Sequence, residues 1–80
     1  MKSSDILLSL QGEDLVVWKV DEVCVQYKNA GVSEPGVIIY TFGSGLDFEA
    51  ACDDYLDKIR GKKLIFDASE SSRREITVLG

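Results

Sequence analysis

The residues nearest to a recognisable chemical motif are Gly43-Ser44-Gly45, which lie between the apolar run Val37–Phe42 and an amphipathic stretch that begins at Phe48. A dinucleotide-binding turn needs a third glycine three residues on, and here Leu46, Asp47 and Phe48 follow instead. A phosphate loop needs Gly-Lys-Ser/Thr at the start of the helix, whereas this chain has Gly45-Leu46-Asp47. Asp47 is an N-cap residue by type and place, and Glu49 adds a second negative charge at the same helix end. Both stand where an anion would need positive potential. The glycines are therefore read as backbone freedom before a helix, with Leu46 as a hydrophobic staple to Ala51.

The second group is acidic. Glu49, Asp53, Asp54 and Asp57 share one face of the same stretch, and Glu49/Asp53 and Asp53/Asp57 are like-charge i,i+4 pairs that weaken an isolated helix. Carboxylates at i and i+4 can share a hard cation. A single exposed helix face seldom encloses an ion, so no metal is expected. The simplest reading is a solvated face; as a functional one, attraction of a basic protein surface or repulsion of nucleic acid is favoured over metal. A calcium loop over residues 67–78 fails, because Ser72 occupies the glycine position and Val78 the bidentate glutamate position.

The third group is basic: Lys58, Arg60, Lys62, Lys63, Arg73 and Arg74. Residues 1–57 carry a balance of −8 and residues 58–80 a balance of +3, giving the net −5. The C-terminal cations are candidate nucleic-acid contacts. Nucleic-acid binding wants such cations clustered and interleaved with stacking aromatics. If the last two strands pair, Lys62-Lys63 and Arg73-Arg74 fall at opposite ends of the ladder.

Catalysis lacks its usual parts. The chain has no histidine, which removes the commonest general base and the usual triads. Cys24 and Cys52 are read as reduced, buried thiols. Burial raises a thiol's pKa and quenches its reactivity. No cofactor is expected. Trp18, Tyr27, Tyr40 and Tyr55 do not line up as a stacking platform, and Trp18 is read as the anchor of the core.

These side chains need a scaffold. Phe48, Ala51, Cys52, Tyr55, Leu56 and Ile59 recur at steps of 3, 1, 3, 1 and 3, the stripe of a core-facing helix over 48–60 stopped by Gly61. Leu15–Val20 and Val23–Tyr27 alternate as strands, with Val16, Trp18 and Val20 on one side. Asp21-Glu22 is the candidate turn, with one long bent strand as the alternative, since no Asn-Gly or Asp-Gly signature is present. Asn29–Gly36 is rich in turn residues and reads as a loop. Val37–Phe42 reads as a covered central strand, and Lys63–Asp67 and Arg74–Leu79 as a closing hairpin. Residues 5–11 fit either a short helix capped by Ser3 or Ser4 or a strand, with Gly12 as its stop. The expected fold is a single α+β domain: a mainly antiparallel sheet of about five strands with the 48–60 helix on one face.

An open face or edge strand of that sheet would serve as a contact surface, including for a homodimer. Eighty residues with 45% hydrophobic and 29% charged content suit one globular domain. No apolar run is long enough for a membrane span, and the start, Met1 to Leu10, lacks a signal peptide's form, so a cytosolic place is expected. A short acidic α+β chain of this kind resembles, in size and charge, the accessory proteins of phages and mobile elements, which include small inhibitors of host enzymes. That resemblance implies a non-enzymatic domain that acts by surface binding to a protein partner. The rival is a nucleic-acid-binding accessory protein using the C-terminal cations.

Overall fold

The structure is a computed structural model and describes residues 1–79. Its elements run α1 (Ser3–Gln11), a 3-10 turn (Gly12–Asp14), β1 (Leu15–Lys19), β2 (Val23–Tyr27), β3 (Ala30–Glu34), β4 (Val37–Ile39), β5 (Gly43–Gly45), α2 (Phe48–Ile59), β6 (Lys63–Phe66) and β7 (Arg74–Thr77). The seven strands form two antiparallel sheets, one of order β1-β2-β5 and one of order β4-β3-β6-β7. The class is α+β, in a single small domain. The single sheet of about five strands is corrected to two sheets, with α2 packed on β5 and β2 of the three-stranded one.

The division has a local cause. The run Val37–Phe42 does not form one central strand: β4 takes its first three residues as an edge of the four-stranded sheet, and the chain then crosses to the other sheet as β5. The expected loop Asn29–Gly36 contains β3, which lies inside that sheet with Ala30, Gly31 and Val32 buried. Its turn residues are used as their types require. Asn29 has φ +58° at the entry. Pro35-Gly36, with Gly36 at φ +76°, makes a two-residue turn into β4.

Residues 3–11 are helical. Neither Ser3 nor Ser4 caps α1, since the N-cap is Lys2, which makes no side-chain bond. Gly12 ends the helix in right-handed backbone and leads into the 3-10 turn. α2 begins at Asp47, whose carboxylate accepts the Ala50 amide at 2.8 Å, and it is followed by Gly61 in left-handed backbone. Leu46 does not staple to Ala51: it is 90% exposed, while Ala51 is fully buried.

One core joins both sheets and both helices. Tyr27, Tyr55 and Phe66 are its largest members, joined by Leu7, Val25, Leu56, Ile59, Leu64 and Val78. Tyr27 lies between the other two rings, with centroid distances of 5.6 Å to Tyr55 and 5.8 Å to Phe66. Each buried hydroxyl has a partner. The Tyr27 amide donates to the Tyr55 hydroxyl at 3.0 Å, and the Tyr27 hydroxyl donates to the Leu7 carbonyl at 2.5 Å. Burial pushes both phenols above their ordinary pKa. Among the described residues no helix is long and apolar enough to cross a membrane.

Candidate functional site

The Gly-Ser-Gly stretch is not a loop but strand β5, wedged under α2. A Cβ on Gly43 would overlap the Ala51 carbonyl oxygen and Tyr55, whose amide nitrogen would be 2.5 Å away. A Cβ on Gly45 would meet Ala50 at 2.6 Å. The glycines let backbone touch helix, rather than supplying unusual φ. No space is left there for a phosphate.

The four acidic residues are spent largely within the chain. Glu49 accepts the Ser4 amide at 3.0 Å and the Ser4 hydroxyl at 2.5 Å. It thereby caps the start of α1 from a neighbouring helix. Asp53 accepts the Ser3 hydroxyl at 2.5 Å. Asp54 accepts the Ser44 amide at 2.9 Å and pairs with Lys58 at 3.0 Å, which closes the outer edge of β5. Asp57 is exposed. Hydrogen bonds from Ser4 hold the Glu49 carboxyl below its usual range, and the Ser44 amide, then Lys58, do the same for Asp54.

The six C-terminal cations are dispersed. Lys58 pairs with Asp54, Lys62 with Glu34 at 3.3 Å, Lys63 with Glu75 at 3.3 Å and Arg74 with Asp14 at 2.6 Å. Arg74 also stacks on Phe66, and Arg73 donates to the Ala68 carbonyl. The β6–β7 register sets Lys63 opposite Thr77 and Phe66 opposite Arg74, so the two basic pairs occupy opposite ends of the ladder.

The thiols are both free and buried, on opposite sides of the three-stranded sheet. Cys52 belongs to α2's core face, and burial, with Glu49 and Asp53 nearby, pushes its pKa up to about 11. Cys24 alternates with Val23 and Val25, which face the core. Its side chain therefore points away from Cys52.

That alternation exposes the feature the sequence hid. The rows Val17–Val25–Gly43 and Lys19–Val23–Gly45 lie on the α2 side of the sheet, where α2 covers β2 and β5 while Val17 and Lys19 at the β1 edge stay exposed. The row between them, Trp18–Cys24–Ser44, faces the opposite way. Among the described residues the helix packed on this sheet, α2, lies on the other side. Trp18 is half-buried and meets Phe42 with ring centroids 5.8 Å apart. Val16 and Val20 continue the stripe along β1, 38% and 70% exposed, and Phe42 is 46% exposed. Lys58 lies over the Phe42 ring at 5.7 Å.

Trp18 is thus not the anchor of the core, and the cause is one residue of register. A two-residue turn at Asp21-Glu22 would pair Val20 with Val23 and place Trp18 on the core face with Val25. The actual loop has three residues, Val20 to Glu22, and pairs Lys19 with Val23. A slip of one residue moves every side chain of a strand to the other face. Only the loop length distinguishes the two pairings, and no Asn-Gly or Asp-Gly signature fixes it in the sequence.

Two of the surface hollows stand out. One, of about 370 Å³, is lined by Asn29, Tyr40 and Asp67 to Glu70. The other, of about 270 Å³, lies among Val32, Ile39, Thr41 and the Lys62–Glu34 pair. Among the described residues no three acidic or thiol groups are gathered as metal ligands would be. Comparison with protein-family models, curated proteins and solved structures finds no match to this chain.

Proposed function

We propose that this chain is a non-enzymatic protein-interaction domain that binds through the face of its β1-β2-β5 sheet that lies away from α2. The observation that carries the reading is the Trp18–Phe42 pair, standing on that face between exposed Val16, Val20 and Leu46. Aromatic side chains supply much of the energy at protein interfaces, and a half-buried, packed pair loses little conformational freedom on binding. Two further observations favour this face over the alternatives. The acidic face of α2 is largely committed to α1 and β5. Four of the six C-terminal cations are held in ion pairs within the chain, which weakens the nucleic-acid reading.

Photo-crosslinking residues placed one at a time at Val16, Asp57 and Arg60 compare the three surfaces in cells. The expected result is a protein adduct from position 16 alone, lost when Phe42→Ser is added while the circular dichroism melt is kept. An adduct from position 57 would move the site to the acidic helix face. A nucleic-acid adduct from position 60 would favour the rival class, and no adduct from any position would overturn the interaction reading.

A further inference from the structure

We infer that the partner of this face is a basic protein surface: an aromatic or aliphatic anchor flanked by lysine or arginine. The inference rests on the interaction reading above and adds the partner's chemistry. At its hairpin end the apolar face is bordered mainly by carboxylates. Beyond the row Lys19–Val23–Gly45 come Val20 and Glu22 of the hairpin loop and Leu46 after β5, with Asp21 at the hairpin tip and Asp47 at the corner into α2. Val20 and Leu46 are exposed apolar side chains, and Glu22, Asp21 and Asp47 border them. Among the described residues none of these three carboxylates takes part in an ion pair.

Among the described residues Lys28 is exposed and in no ion pair, but it lies just past the end of β2 opposite the hairpin tip. Lys58 is the cation that touches the face, and it is already neutralised by Asp54. Lys19 belongs to the row on the α2 side of the sheet. The paired cations lie with Glu34, Glu75 and Asp14, away from the hairpin tip.

This charge pattern decides among occupants. A second copy docked face to face about a two-fold axis would bring like-charged rims together, with a repulsive cost at neutral pH. Nucleic acid is repelled by the same carboxylates. A basic surface is attracted before contact and kept in register after it.

The test is selection of a random-peptide display library on the intact chain, with counter-selection on the Phe42→Ser variant. Enriched peptides are synthesised and titrated while the emission of Trp18, the chain's one tryptophan, is followed. The expected winners carry Lys or Arg around an apolar anchor and shift Trp18 emission. Their affinity falls about tenfold when Asp21→Lys and Glu22→Lys are combined, and also falls between about 50 mM and about 500 mM salt. Both positions are exposed and lie in the hairpin loop, and circular dichroism confirms that the variant is folded. Neutral or acidic winners, or winners indifferent to the charge reversal, overturn the basic partner while leaving the face as a binding site. So does a concentration-dependent dimer at pH 7 that Phe42→Ser abolishes. Failure of every peptide to distinguish the intact chain from Phe42→Ser overturns the face itself.

Discussion

At the scale of single residues, the sequence showed that Gly43 and Gly45 matter without showing why. Neither is among the positive-φ glycines, which are Gly36 and Gly61. What Gly43 supplies is the absence of a side chain where strand backbone meets helix backbone. That requirement comes from tertiary packing and leaves no local trace. Gly43→Ala must push a Cβ into the Ala51 carbonyl and Tyr55 backbone, neither of which can swing aside. It is expected to destabilise the fold by about 1–3 kcal/mol, the usual range for overpacking. Gly12 is the contrast. Its φ is −59°, and an added Cβ would approach only Leu8, at an ordinary 3.5 Å. Gly12→Ala is expected to stabilise by about 0.4–1 kcal/mol, by narrowing the unfolded ensemble. Urea melts of the two variants read opposite signs. A fall with Gly12→Ala, or no change with Gly43→Ala, contradicts the packing described.

At the scale of elements, α2 was legible from its apolar stripe, its Asp47 cap and its Gly61 stop, all of which are local signals. β3 was not legible. Ala30-Gly31-Val32-Ser33-Glu34 has little strand propensity, and it is a strand because β4 and β6 pair with it on both sides. α1 was equally ambiguous. Its first turn has no cap within its own sequence and is capped instead by Glu49 of α2. That tertiary cap has a pH signature. Ser4 holds the Glu49 carboxyl below its ordinary value in the folded state. Its contribution is therefore fully present above the unfolded glutamate pKa, about 4.3, and is lost as pH falls through the lower folded value. Glu49→Gln removes the charge at every pH. It is expected to speed hydrogen exchange of the α1 amides at pH 7 while leaving β6 and β7 protected, and to reduce the loss of stability on acidification. Uniform acceleration across all elements would show that α1 does not open as a separate unit.

At the scale of the whole molecule, the apolar run Val37–Phe42 and the Trp18 stripe were both assigned to a covered interior, because apolar composition alone does not tell an interior strand from a binding face. Pairing register and the division into two sheets turn part of that apolar content outward, and charge then governs what the exposed face does alone. The chain carries −5 at pH 7 and has a sequence pI of about 4.5. Repulsion between copies, concentrated at Asp21, Glu22 and Asp47, keeps the faces apart at neutral pH. Net repulsion between whole copies falls away near the pI, where the charges on the chain balance. Hydrogen bonds hold the Glu49 and Asp54 carboxyls below their usual range, so the bonds that hold α1 and β5 persist as pH falls toward the pI. Self-association is therefore expected near pH 4.5 in a chain that is still folded. Light scattering should give a monomer at pH 7 and rising mass near pH 4.5, with the near-ultraviolet circular dichroism of the native state retained. Phe42→Ser should suppress the rise, since it removes apolar area from the face without altering the charge. A mass increase that appears only after the native signal is lost would instead mark aggregation of the unfolded chain, and the exposed Trp18–Phe42 face would then have no part in it.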